Sequence, residues 1–114
     1  MKPITQFMVQ MRLIQNATKM PEIQAQQVIC FLSVATQPDI SMGALTRAMG
    51  TSGAACSRSI ARLGIGESPD SPGLGLVEAF EDPWCRRRKQ VRLTPKGKAL
   101  AQRLDGIVSP AGTS

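Results

Sequence analysis

The side chains with the clearest chemistry in this chain are its basic residues, which lie in two separate segments. Residues 47–62 contain Arg47, Arg58 and Arg62 without an acidic residue, and residues 86–103 contain eight Lys and Arg residues, again without an acidic one. The intervening residues 63–82 carry acidic charges only. Cationic groups bind phosphate strongly, and arginine can also donate two hydrogen bonds to a base edge. The two segments therefore indicate a polyanionic partner, with nucleic acid as the leading candidate, although a charge run can also be a solvated face.

Composition excludes several classes of protein. The chain has 114 residues, a formal net charge of +6, no His and no Tyr, which fits one domain without imidazole chemistry. Its cysteines, Cys30, Cys56 and Cys85, are not at metal-ligand spacing. No stretch reads as a signal peptide or a membrane span. We therefore expect a cytoplasmic, non-enzymatic protein with no metal, no cofactor and no membrane association.

Two amphipathic helices are predicted at the start of the chain. The first covers residues 4–18, and the second begins near Pro21 and ends near Thr36, before Pro38. The first helix has an apolar stripe at helical spacing, made of Ile4, Phe7, Met8, Met11 and Ile14.

Two shorter helices follow, separated by a single glycine turn. Ser41 is a good N-cap for the third helix, and Gly50 can end it in the left-handed conformation. Thr51 or Ser52 caps the fourth helix, which runs to Leu63. This arrangement suggests a helix-turn-helix. The fourth helix has an inward face of Cys56, Ile60 and Leu63 and an outward face that includes Ala54, Ser57, Arg58 and Arg62.

A loop and a β-hairpin are predicted next. Residues 64–75 are rich in Gly, Pro and Ser and predict a loop without helix. Residues 76–80 and 90–93 are β-compatible, and the polar residues 81–89 between them predict a hairpin with a long basic tip. Thr94 and Pro95 then start a last helix.

The order helix, helix, helix-turn-helix, hairpin, helix is that of a winged helix. The expected fold class is mainly α with a small β-hairpin (α+β), a winged helix-turn-helix with flanking N- and C-terminal helices for dimerisation. We expect residues 1–109 to form a single winged-helix domain and residues 110–114 to be a frayed tail. The predicted dimer interface consists of Phe7, Met8, Met11, Ile14, Leu100, Leu104 and Ile107.

Two stretches resemble MarR-type winged-helix transcription regulators. Residues 52–63, SGAACSRSIARL, are similar to the family's recognition helix. Residues 75–100, GLVEAFEDPWCRRRKQVRLTPKGKAL, resemble its wing and following helix, with the pattern G-L-V, a charged tip, an arginine matched by Arg87, and L-T-x-x-G-x-x-L. The resemblance covers roughly residues 20–105. Departures are Cys85 in place of an aspartate, the long loop of residues 64–75 and the short C-terminal helix; the small size suits a phage or mobile-element relative.

The resemblance implies a sequence-specific regulator of double-stranded DNA, a homodimeric repressor of a palindromic operator. Its recognition helix would lie in the major groove and its basic wing in the minor groove. Small residues allow close approach to DNA, Arg58 suits a bidentate contact to guanine, and Arg62 suits a phosphate. The predicted DNA-binding residues are Ser52, Ala54, Ala55, Ser57, Arg58, Arg62, Arg86, Arg87, Arg88 and Lys89.

Several alternatives stay open at this point. The fourth helix could simply pack, with its arginines solvated. Trp84 could cover Pro83 or stack on nucleic acid, and Cys85 could be inert or an oxidisable switch beside arginines. The competing function is a winged-helix protein-interaction module that acts on polymerase or a replication protein. A small-molecule effector is a third possibility for which the sequence offers no support.

Overall fold

The computed structural model describes residues 2–106, with the side chains of residues 67, 68, 71 and 85–88 excepted. This part of the chain contains five helices and five short strands. The helices are α1 (Pro3–Thr18), α2 (Ala25–Thr36), α3 (Met42–Met49), α4 (Gly53–Leu63) and α5 (Pro95–Asp105). The strands are β1 (Ile40–Ser41), β2 (Gly66–Ser68), β3 (Ser71–Pro72), β4 (Val77–Asp82) and β5 (Cys85–Leu93).

Three of the helices begin at the caps that the sequence predicts. The hydroxyl oxygen of Ser41 accepts a hydrogen bond from the Ala44 N–H, and the Ser52 hydroxyl does the same for the Ala55 N–H. Thr94 caps α5 in the same way, with Pro95 in the first turn. These side chains satisfy backbone donors that have no partner within the helix, which is why they fix the helix starts.

The turn between α3 and α4 depends on one backbone conformation. Gly50 ends α3 with φ 64, in the left-handed region that glycine adopts without strain. Its N–H donates to the carbonyl oxygen of Arg47, and Ser52 then starts α4 two residues later. The predicted helix-turn-helix is confirmed.

A three-stranded antiparallel sheet packs beside the helices in the order β1, β5, β4. Ile40 pairs with Val91, and Val77 pairs with Leu93. Val91 is fully buried and Arg92 is exposed, as the alternation in the sequence predicts. The α+β winged-helix class is confirmed.

The core lies where α2, α3, α4 and the base of the hairpin meet. Its fully buried side chains include Val34, Leu45, Leu63, Val77 and Val91. The start of α5 approaches this layer so closely that a side chain at Gly97 would overlap the carbonyl oxygen of Leu76. Glycine is therefore required there, because no β-carbon fits.

Some predicted boundaries are wrong. The second helix begins at Ala25 rather than near Pro21, because the preceding residues form a turn in which the Ile23 N–H donates to the Met20 carbonyl oxygen. The hairpin tip is short: Glu81 pairs with Lys89, so that both strands continue into the expected tip and only Pro83 and Trp84 join them.

Two further elements were not predicted, and one limit has to be stated. The small strand β1 completes the sheet, and the Gly-rich segment contains the two-stranded pair β2–β3. The last helix ends at Asp105 in the structure, and the expected tail of residues 110–114 lies outside the described residues.

Candidate nucleic-acid interface

Helix α4 exposes the face that the sequence assigns to DNA contact. Cys56, Ile60 and Leu63 are buried and hold α4 against α2 and α3. The opposite side carries short side chains and two guanidinium groups, with no large apolar residue. The exposed residues on that side are Ser52, Ala54, Ser57, Arg58 and Arg62, and Ala55 is half-buried.

The hairpin lies directly beside α4. A cleft of about 440 Å³ separates them, and Ser57 and Ala61 of α4 line one wall. Val77 and Ala79 of β4 and Lys89 of β5 line the other wall. The exposed face of α4 and the basic strand of the hairpin are therefore neighbours, as a helix and a wing acting on one duplex need to be.

An ion pair orders the outer face of the hairpin. Arg92 Nε donates to Glu78 Oε1 at 2.7 Å, and the Arg92 guanidinium lies 4.3 Å from the centre of the Phe80 ring. Both charged side chains are about half exposed, so this pair adds little stability but fixes the side chains in place.

Trp84 projects from the tip of the hairpin. It is 94% exposed, and its N–H donates to Asp82 Oδ1 at 2.8 Å, which forms a local turn. A tryptophan that covered Pro83 would lose much of its exposure, so the structure contradicts that interpretation and leaves the ring free for a partner.

The remaining wing residues are only partly described. The backbone of Arg86, Arg87 and Arg88 lies in β5, but their side chains and that of Cys85 are outside the described part. Lys89 is described and its side chain is exposed.

The predicted dimer interface is divided by the structure. Phe7 and Met8 are 61% and 51% exposed, and Met11 is half-buried. Ile14, Leu100 and Leu104 are instead buried in the core of the chain, because α5 packs on α1 and α2. Placing these three at a surface between copies is therefore a mistake of the sequence analysis. Ile107 lies outside the described residues.

The sequence analysis missed a polar cleft on the other side of α4. Arg58 and Arg62 line it together with Gln24 and Gln27 from the start of α2. Glutamine has no charge and no characteristic spacing, so no pattern in the sequence pointed to these residues.

The cysteines described in the structure do not form a reactive site. Cys30 and Cys56 are free thiols and fully buried, as expected for small apolar residues. Burial raises the pKa of the Cys30 thiol to about 12, and the nearby Cys56 adds to this rise. Within residues 2–106, no group of acidic, Cys or His residues could hold a metal ion, and no helix is long and apolar enough to cross a membrane.

Known structures share this fold. No protein-family model and no curated protein sequence matches the chain. MepR of S. aureus, in a complex with DNA, aligns over 91% of this chain and 77% of its own at 18% identity, with a TM-score of 0.66. A mutant MarR from E. coli with operator DNA aligns over 94% of this chain and 71% of its own at 21% identity, with a TM-score of 0.63.

The transcriptional regulator PcaV from Streptomyces coelicolor, in complex with its natural ligand, gives a further match. It aligns over 92% of this chain and 70% of its own at 20% identity, with a TM-score of 0.62. At such low identities the likeness shows the fold alone. The expected winged-helix fold of the MarR type is thereby confirmed.

Proposed function

We propose that the protein is a transcriptional regulator that binds double-stranded DNA sequence-specifically as a homodimer and represses from a palindromic operator. Two proteins of the same fold, MepR and a mutant MarR, are described in complexes with DNA. A regulator of this kind has no enzymatic activity and acts in the cytoplasm.

The exposed face of α4 carries the proposal. A helix in the major groove needs short side chains where its backbone approaches the bases and a few long donors that reach base edges. Ser52, Ala54, Ala55 and Ser57 are the short side chains, and Arg58 is the long donor that we assign to guanine. Large apolar residues would be expected on this face if it packed against another protein.

The hairpin supplies the second contact. A wing beside a recognition helix reaches the neighbouring minor groove, where the negative potential attracts arginine and lysine. We assign this contact to Lys89 and, from the family pattern, to Arg86, Arg87 and Arg88. Arg62, at the end of α4, is assigned to the DNA backbone.

The exposed apolar end of α1 supports a dimer. Ile4, Phe7 and Met8 lie at helical spacing and are all exposed. Their burial against a second copy would contribute about 1.5–3 kcal/mol per large side chain. Two copies related by a two-fold axis would read half-sites about 10 base pairs apart, and this symmetry requires a palindromic operator.

Selection from random DNA followed by sequencing tests the proposal. We expect a palindromic consensus whose half-sites are one helical turn apart. Recovery of no consensus would contradict sequence-specific binding. In that case, co-purification with polymerase or a replication protein after DNase treatment would support the protein-interaction module instead.

A further inference from the structure

A second cleft, of about 280 Å³, lies between the N-terminal end of α2 and the side of α4. Arg58 and Arg62 line it one helical turn apart. Among the residues described, no acidic side chain lines it; Glu22, the nearest acid in the sequence, is not part of its wall. The cleft therefore has a positive charge without a counterion from the chain itself.

The start of α2 faces the same cleft. Gln24 is its N-cap residue and lines the cleft, but no side chain caps the helix, and its first turn has no acidic residue. The N-terminal N–H groups of a helix carry partial positive charge and bind anions when no side chain occupies them. With 12 residues, α2 is long enough for this effect.

An independent observation points to a ligand in this cleft. Gln27 lines the cleft and is only 3% exposed, yet its Oε1 has no hydrogen-bond partner among the described residues. Buried polar atoms nearly always have a partner, so this atom requires one from outside the chain. A half-turn of the amide exchanges Oε1 and Nε2, so Gln27 can also present a donor there. The buried Ser59 hydroxyl lines the same wall.

We propose that this cleft is an oxyanion site that holds one phosphate group. Arg58 and Arg62 contact it from α4, and the free N–H groups of Ala25 and Gln26 contact it from α2. The Gln27 amide forms the floor of the site. The phosphate group can come from the DNA backbone, a source that rests on the proposed function, or from a free anion, which does not.

A nuclear magnetic resonance titration with inorganic phosphate tests the site in the full chain. We expect saturable shifts of the Ala25 and Gln26 backbone amides and of the Gln27 side-chain amide. Chloride at the same ionic strength should not cause them. Arg62→Ala should weaken phosphate binding by roughly tenfold because a charge-assisted contact is lost. Arg103→Ala removes the same charge from α5, away from the cleft, and should leave the titration unchanged.

Equal shifts with chloride and phosphate would overturn the proposal, and so would an Arg62→Ala response equal to that of the unmodified chain. The same amides are then followed with a short random-sequence DNA duplex. If the duplex shifts them too and Arg62→Ala lowers the salt slope of duplex binding by about 0.9, the phosphate comes from the DNA backbone. If only inorganic phosphate shifts them, the site takes a free anion. Absence of all duplex binding contradicts the proposed function, while the phosphate titration still decides the site.

Discussion

The side-chain amide of Gln10 donates a hydrogen bond from Nε2 to the carbonyl oxygen of Leu104 at 3.1 Å, and this joins α1 to α5. The side chain of Leu104 is 5% exposed and packs in the same core as Ile14. This junction therefore stabilises the single chain, whereas the N-terminal end of α1, with Phe7 and Met8, is left uncovered.

We expect Leu104→Ala to lower the free energy of unfolding by about 2–5 kcal/mol, because it leaves a cavity between α1 and α5. Urea denaturation measures this change. The exposed Gln102→Ala on the same helix is the control and should change stability by less than about 0.5 kcal/mol. A stable, folded and monomeric Leu104→Asp protein would show instead that Leu104 serves a dimer interface.

Phe7→Asp should convert the dimer to folded monomers, because a carboxylate replaces a ring that is buried only between copies. Sedimentation velocity measures the oligomeric state, and circular dichroism checks the fold. Thr5→Asp places the same charge on the opposite face of α1 and should leave the dimer intact. A Phe7→Asp protein that still sediments as a dimer would remove this helix end from the interface.

Local signals in the sequence account for much of the fold. The hydroxyls of Ser41, Ser52 and Thr94 and the left-handed Gly50 act within one helix turn, so their effect is visible in a short stretch of sequence. Strand β1 has no such signal, since its two residues are fixed by pairing with β5 about fifty positions later.

The candidate site shows the same division. Helical periodicity was enough to predict that Arg58 and Arg62 are exposed. Periodicity also identified the apolar stripe of α1, but it could not tell whether the stripe faces its own chain or a partner. That is why Ile14 was assigned with Phe7 although only Phe7 is exposed. Gln27 was missed because its significance depends on a neighbouring helix.

Arg58→Ala should weaken binding to the selected operator by about 1–3 kcal/mol and relax the preference at one base pair per half-site. Fluorescence anisotropy with single-base operator variants measures both effects. Arg103→Ala, on α5, is the matched control for the loss of one positive charge. If Arg58→Ala weakens operator and random DNA equally, Arg58 contacts phosphate alone and reads no base.

Trp84 should become protected when DNA binds, because its exposed ring at the hairpin tip can stack on a sugar or base. It is the only tryptophan in the chain, so acrylamide quenching of the intrinsic fluorescence reports on it alone. We expect Trp84→Ala to cost about 1–3 kcal/mol in DNA affinity, the typical value for a stacked base, and Trp84→Phe to cost less. Identical quenching with and without bound DNA would exclude this contact.

The Cys30 thiol should make the protein less stable at alkaline pH. Its pKa is about 12 in the folded chain, against an ordinary value of 9.0, because burial disfavours the thiolate. Between these two values the unfolded chain has lost this proton and the folded chain has kept it. The free energy of unfolding should therefore fall by about 1 kcal/mol per pH unit above pH 9, and no such contribution exists below it.

Urea denaturation at several pH values from 8 upward checks this sign, with Cys30→Ala as the comparison. The variant is expected to be less stable at pH 8, where it lacks the buried sulfur, but to lose stability less steeply above pH 9. Other groups that titrate in this range contribute equally to both proteins, so the difference between the two slopes isolates Cys30. Parallel slopes would mean that the Cys30 thiol ionises as readily in the folded chain as in the unfolded one, which is incompatible with its complete burial between α2 and α4.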